Sequence, residues 1–475
     1  MRILLVEDSD DDVELVHDGL VARQQNVELV VARSRDSAVQ ELDARHFDLL
    51  VCDLMIPTVD GGLDTALAHG IAVYEHSQRV AAGLPAIFFS AFGSEEVLEQ
   101  HVLPQVRQDS PFGRTTEPML QFKDKGKVGQ CLDIVERFQG ELAELSAIQL
   151  LIGDEEIQLE EADERLIRIC ARQYGARSVQ LSPLSGGLSG ARIFQLDGFD
   201  LDGNPRLHVA LKTEGLEVTD REVANFRRLA GLVAPGVLAP QAMVLRAGAS
   251  GRGGVVYSLA ADHQSLFRLI REDLPKAASA VERLAEGFAP VAAGGVGQQL
   301  SVGDMRRRVL SNGEMAEIAE RLTGIDVVAV ERLTVQGRAA LVHGDLHGSN
   351  VLVSHSGQPL VIDFGSVQDG SASFDPIVLE LSLAFHPYGR RIEPSIGTDT
   401  GDHWVDLNRY ETACAAPAYV RACRTWARLV AGSEGELLAN AYAWSVRQFR
   451  YEGANHALAL RIARAASIRL LELTG

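Results

Sequence analysis

The chain has 475 residues, 46% of them hydrophobic and 23% charged, room for roughly three units of about 150 residues, and it contains no apolar run of roughly 18 residues that would span a membrane. With 45 Lys and Arg against 65 Asp and Glu, the formal charge of -20 repels a nucleic-acid backbone and excludes bulk DNA binding. The five cysteines are scattered, with no Cys-x-x-Cys or Cys/His pairing for zinc, and the N-terminus has neither the apolar core nor the cleavage site of a signal peptide; a reduced, cytoplasmic compartment is expected.

The first stretch alternates short apolar runs with helical periodicity. Ile3 to Val6, Val27 to Val31, Leu49 to Val51, Ile87 to Phe89 and Met119 to Phe122 predict five strands, and Val13, Val16 and Leu20 fall on one helix face. This βαβ pattern predicts a doubly wound α/β domain with ligands at the carboxyl ends of its strands. A helical stretch follows, then an acidic run from Asp154 to Glu164 that reads as a solvated connection. Ile193 to Leu196, Leu207 to Leu211 and Val255 to Leu259, with a helix over 221–229, predict a small α+β lobe. Beyond Asp262 the pattern is helical except for short strands at Val351 to Val353 and Leu360 to Ile362, and Trp404, Trp426 and Trp444 read as core. The predicted boundaries are 1–140, a helical and acidic linker over 141–164, a small lobe over 165–261 and a helical lobe over 262–475.

Glu7 and Asp8 end the first predicted strand, Asp53 the third and Ser90 the fourth, while Lys123 follows the fifth. Clustered carboxylates repel one another unless a hard cation neutralises them, and Mg²⁺ takes such oxygen ligands. Asp53 then suits a carboxylate nucleophile toward phosphorus, with Lys123 and Ser90 receiving the phosphoryl oxygens. Either Lys123 or Lys125 can point into the site, depending on strand register; Lys123 is preferred.

These residues, in the motifs Leu4-Leu5-Val6-Glu7-Asp8, Cys52-Asp53-Leu54-Met55-Ile56-Pro57, Phe89-Ser90-Ala91 and Lys123, resemble the receiver domain of two-component response regulators, a flavodoxin-like fold. The resemblance implies that Asp53 is the phosphoacceptor, that Glu7, Asp8, Asp53 and the Met55 carbonyl hold Mg²⁺, and that Ser90 and Lys123 couple phosphorylation to movement. It implies a sensor histidine kinase or a phosphotransfer protein as donor, and a homodimer through the receiver. Asp124 replaces the proline that usually follows the lysine, and the usual aromatic switch position holds Leu120.

The sharpest signal is His343-Gly344-Asp345-Leu346-His347-Gly348-Ser349-Asn350, followed by a strand, a turn and Ile362-Asp363-Phe364-Gly365. Phosphoryl transfer needs a carboxylate to orient or deprotonate the acceptor hydroxyl and oxygen ligands for Mg²⁺; Asp345 suits the first role, Asn350 and Asp363 the second. The segment resembles the catalytic loop of the kinase fold, in its aminoglycoside phosphotransferase and choline kinase branch. By that resemblance Gly186, Gly187 and Gly190 in Ser185-Gly186-Gly187-Leu188-Ser189-Gly190 approach phosphate, Lys212 meets the α- and β-phosphates of ATP with Glu222 as its helix partner, and Ser258 to Asp262 is the hinge to the helical lobe. His343 and His347 read as structural hydrogen-bonding residues.

The sequence therefore predicts a receiver domain joined to a two-lobed (α+β) kinase-like domain, an ATP- and Mg²⁺-dependent phosphotransferase acting on a hydroxyl of unidentified substrate and controlled through Asp53. The alternative is a signalling scaffold whose kinase-like domain binds nucleotide or a partner without turnover.

Overall fold

The computed structural model describes the chain except for residues 24, 92–107, 115–116, 154–158, 187–191, 260–262, 393–397 and 475. It divides into two compact units, Met1–Thr219 with Gln241–Ser258, and Asp220–Pro240 with Leu259–Gly475.

The first unit begins with β1 (Arg2–Val6), α1 (Asp10–Ala22), β2 (Glu28–Ala32), α2 (Arg35–Ala44), β3 (Leu49–Cys52), α3 (Leu67–Val80), β4 (Ala86–Phe89), β5 (Leu120–Lys123) and α4 (Val128–Ser146). The strands are parallel in the order β2-β1-β3-β4-β5, a flavodoxin-like doubly wound order. Side chains alternate across a strand, so Ile3, Leu5, Val51, Ile87 and Phe89 enter one core with Val16, Leu20 and Phe138, while Leu4, Val6, Cys52 and Phe88 enter the other with Leu42 and Val73. Burial on both faces is why these strands read as near-continuous apolar runs.

The same unit continues through β6 (Gln149–Ile152), α5 (Glu161–Gln173), β7 (Ser178–Gly186), β8 (Arg192–Phe199), β9 (Pro205–Gly215), the first turn of α6 (Leu216–Ala230, which from Asp220 on belongs to the second unit), β10 (Gln241–Leu245) and β11 (Arg252–Ser258). They form a six-stranded sheet, β10-β11-β9-β8-β7-β6, antiparallel except for the parallel pair of β6 and β7. The linker expected over 141–164 is corrected where it is described. Helix α4 runs to Ser146, β6 extends the second sheet, and Glu161, Asp163 and Glu164 form the first turn of α5. Acidic side chains favour a helix N-terminus through the helix dipole, so an acid run opens a helix here.

One apolar core joins both sheets of this unit, through Phe138, Leu142 and Leu145 of α4 and Leu166, Ile169 and Cys170 of α5 to Leu181, Leu211 and Val256. The turn before β11 closes on the first sheet: Ser250 Oγ donates to the Phe47 carbonyl at 3.2 Å and Gly251 N to that of Ala82 at 3.3 Å. Gly248 in this turn has φ +90°, and a Cβ there would lie 2.1 Å from the Pro111 carbonyl oxygen, so glycine is required.

The second unit contains β12 (Gln264–Ser265), α7 (Leu266–Glu272), α8 (Leu274–Ala293), β13 (Val296–Ser301), β14 (Thr334–Val342), β15 (Val351–Val353), β16 (Pro359–Val361), β17 (Gln368–Ser371) and α9 (Phe374–Phe385), then α10 (Pro417–Val430), α11 (Glu434–Arg447) and α12 (His456–Thr474). Strands β12-β15-β16 and β13-β14-β17 make two small sheets. The second of these departs from the helical expectation, because β13 is mostly exposed and carries no apolar alternation to announce it. Trp404, Trp426 and Trp444 are buried, and Trp404 Nε1 donates at 2.9 Å to Glu380, which also holds Arg424 at 2.6 and 2.7 Å. No helix among the described residues is long and apolar enough to cross a membrane.

Candidate functional site

The ends of β1 and β3 bring Glu7, Asp8 and Asp53 together, with one oxygen of each within 4.8 Å of the others. Glu7 and Asp53 are buried and Asp8 is exposed. Asp53 Oδ1 accepts from the Met55 amide at 3.2 Å, and Ser90, fully buried, follows β4.

The lysine in this pocket is Lys125. Its ammonium lies 2.7 Å from Glu7, 2.7 Å from Asp12 and 2.8 Å from Asp53. The sequence preference for Lys123 is corrected for a geometric reason. Leu120 and Phe122 of β5 face the core of Leu4 and Phe88, so alternation turns Lys123 to the α4 side. There its charge opposes the burial that pushes the Cys131 thiol up to about 12. Only after the chain leaves the strand, where Asp124 Oδ1 accepts from Gly126 N at 2.7 Å, does a lysine reach over the sheet end.

Burial raises the Glu7 carboxyl to about 7 in spite of the nearby Lys125 ammonium. Burial also opposes the charge on Lys125, but its hydrogen bonds to Asp12, Asp53 and Glu7 outweigh that and raise its pKa. The pocket thus holds more carboxylate than one ammonium neutralises, all of it hard oxygen, a donor set that fits Mg²⁺.

In the second unit the loop 343–350 leaves β14 under the control of one buried side chain that sequence reasoning did not single out for this role. Asp375, at the head of α9, accepts from the His343 amide at 2.7 Å and the Gly344 amide at 3.0 Å. His343 Nε2 is 3.1 Å from the Ile362 carbonyl, a structural hydrogen bond. Gly344 has φ +84°, and a Cβ there would sit 2.1 Å from the Ser366 carbonyl oxygen, so no other residue fits. Asn350 Nδ2 donates to the Asp345 carbonyl at 3.0 Å, closing the loop on itself.

The Asp345 carboxylate lies 3.4 Å from Arg447 Nη1 and 3.9 Å from His347 Nε2. Arg447, about a hundred positions downstream and stacked over Trp444 at 4.3 Å, had no sequence signal. The His347 and His386 rings are 4.5 Å apart. Burial lowers the pKa of His347, and burial with the charge of His347 pushes His386 down to about 3, so both are neutral near pH 7.

Asp363 follows β16 with φ +66°, a left-handed conformation that a non-glycine residue holds only when its surroundings impose it. Its neighbour Phe364 is pinned on both sides: its amide donates to Glu222 at 3.5 Å and its carbonyl accepts from Asn225 at 3.1 Å. Glu222 thus belongs to the second unit, with Asp363. Lys212, in β9 of the first unit, is 4% exposed and 3.1 Å from Glu214. Gly186 ends β7 opposite Arg192; Gly187 and Gly190 lie outside the described residues, as do 260–262 of the expected hinge.

Residues 182–410 match the model of the phosphotransferase enzyme family. The match spans just under half of the chain. No curated protein matches the chain. Solved structures similar to its N-terminal part are receiver domains. That of the Francisella response regulator 1452 is 16% identical and covers 30% of this chain and 98% of its own, with a TM-score of 0.21. That of the sensor histidine kinase PA1611 from Pseudomonas aeruginosa, with a magnesium ion in its active-site cleft, is 16% identical and covers 29% and 97%, with a TM-score of 0.22. The response regulator TrrA from Thermotoga maritima, in complex with Mg²⁺ and a beryllium fluoride, is 15% identical and covers 29% and 97%, also at 0.22. The chain thus joins a flavodoxin-like doubly wound sheet to a segment that matches the phosphotransferase family.

Proposed function

We propose that the chain is a signal-controlled phosphotransferase. In the first unit, the Asp53 carboxylate attacks the phosphorus of a phosphohistidine on a sensor histidine kinase or phosphotransfer protein; the P–O bond forms, the P–N bond breaks and the histidine leaves. Glu7, Asp8 and Asp53 would hold Mg²⁺, which when bound supplies positive charge for the phosphoryl oxygens. The Lys125 ammonium, already 2.8 Å from Asp53, exchanges that carboxylate for the incoming phosphoryl group, and Ser90 donates its hydroxyl to the same oxygens.

In the phosphotransferase-family domain, Asp345 orients the acceptor hydroxyl and takes its proton as the acceptor oxygen attacks the γ-phosphorus of ATP; the bond to ADP breaks. Lys212 serves the nucleotide phosphates, with Gly186 at the end of β7 approaching them. Asn350 and Asp363 would hold Mg²⁺. Neutral His347 and His386 beside Asp345 leave Arg447 as the cation next to the carboxylate, and Arg447 steadies it for the acceptor.

The observation that carries this reading is the ion pair of buried Asp53 with half-buried Lys125 inside an acid cluster, on a chain whose residues 182–410 match the phosphotransferase family. The test is incorporation of one acid-labile phosphoryl group from acetyl phosphate into the full chain, lost in Asp53→Asn, together with ATP consumption against a panel of small hydroxyl compounds and candidate proteins, lost in Asp345→Asn. Labelling that survives Asp53→Asn refutes the acceptor assignment. Nucleotide binding without turnover on any acceptor favours the scaffold.

A further inference from the structure

In the first unit, helix α5 is held at one end by the receiver and at the other by β8 and β11, the strands on either side of β9, which carries Lys212. Arg172, near its C-terminus and 5% exposed at the side chain, reaches into the receiver: its guanidinium lies 2.5 Å from Glu141 and 2.6 Å from Glu144 of α4, and it donates to the Phe112 carbonyl at 3.0 Å. The Phe112 ring meets Phe138 of α4 edge-on at 4.9 Å, so this end is packed as well as paired. At the other end Asp163, fully buried, lies 3.0 Å from Arg192 and 3.0 Å from Arg252, and Glu160 adds a contact to Arg192 at 2.9 Å. Arg192 opens β8, opposite Gly186 on one side and Thr213 on the other, and Thr213 is the neighbour of Lys212. Arg252 reaches the Thr213 hydroxyl at 3.4 Å.

A buried carboxylate shared by two arginines is costly to break and fixes the elements that supply the charges. Between the two clamps, Leu166, Ile169 and Cys170 lie in the continuous core, so α5 cannot shift at one end alone. The receiver end starts at Lys125, three residues before α4, and a phosphoryl group on Asp53 would draw that ammonium away from Glu7 and Asp12.

We infer that α5 couples the Asp53 pocket to the nucleotide-phosphate strands of the small lobe, with Arg172 and Asp163 as its positioning residues. This rests on the proposed function for the meaning of both ends, and the test separates the two. Amide hydrogen exchange and Mg²⁺-ATP affinity of the full chain are measured with and without beryllofluoride, in the parent and in Glu144→Gln, Arg172→Lys and Asp163→Asn. In the parent, beryllofluoride changes exchange over 161–173 and 178–215 and shifts ATP affinity by about tenfold. Glu144→Gln, at a half-exposed position, keeps the affinity measured without beryllofluoride and loses the shift, as does Arg172→Lys; Asp163→Asn weakens ATP binding in both states. Exchange changes over 178–215 in a chain that binds no ATP support the coupling while refuting the nucleotide role. Exchange changes that stop at residue 146, or a Glu144→Gln chain that responds like the parent, overturn the inference.

Discussion

The two sites proposed to handle phosphoryl groups are built in opposite ways. The Asp53 pocket collects its groups from the ends of three separate strands and one turn, and its charges are partly neutralised by a single lysine drawn from beyond the last strand. The Asp345 site is one continuous loop, its backbone fixed by Asp375 and its carboxylate flanked by Arg447 and His347. A site assembled from strand ends depends on register, and a slip of one residue turns a side chain to the other face. A site made by one loop depends on local sequence and on whatever holds the loop.

The contrast can be broken first at its chemistry. Asp345→Asn keeps the shape of the loop but removes the proton acceptor, and ATP turnover should fall by about 10²- to 10⁴-fold with nucleotide affinity nearly unchanged. A kcat that stays near the parent value would remove Asp345 from the reaction.

A second comparison sets the two lysines against each other. Lys125→Ala should lower the rate of phosphorylation by acetyl phosphate by about tenfold or more, since the charge-assisted contacts to the phosphoryl group disappear. Lys123→Ala should leave it within about twofold, because that side chain lies on the α4 side of the sheet. Equal effects would return the register to the sequence preference.

Third, Asp375→Ala leaves two buried amides without acceptors and should destabilise the second unit by about 3 kcal/mol, measured by denaturant unfolding. Asp375→Asn, which keeps an acceptor, should cost less. An Ala variant as stable as the parent would mean that the loop holds itself.

The smallest effect is a pH dependence special to the acid pocket. Because Glu7 titrates near 7 in the fold, protons compete with Mg²⁺ there, and Mg²⁺ stabilisation should weaken by up to about tenfold in affinity per pH unit below 7 and level off above it. Without Mg²⁺ the sign is reversed: the folded chain keeps a proton that the unfolded chain releases, so this group's contribution to stability declines as pH rises from about 4.5 to about 7. Thermal unfolding at several pH values, with and without Mg²⁺ and in Glu7→Gln, reads both; a Gln variant with the parent's pH profile would assign the dependence elsewhere.

Much of this molecule follows from sequence alone. Strands buried on both faces announce themselves as apolar runs, which is why β1, β3 and β4 and the carboxylates at the ends of β1 and β3 were legible. The run His343 to Asn350 with Asp363 was legible because its groups are neighbours in the chain and the chemistry needs them close. Tertiary structure decided the rest. Which lysine enters the pocket turned on where β5 ends and which face Lys123 takes, a choice of register that both lysines allow in sequence. Asp375 and Arg447 became partners of the loop 343–350 through packing, at separations of 31 and 102 residues for which no local pattern exists. Glu161, Asp163 and Glu164 of the acidic run became the head of a buried helix because both of its neighbours in space, α4 and the second sheet, supply the apolar surface and the arginines that an exposed tether would lack.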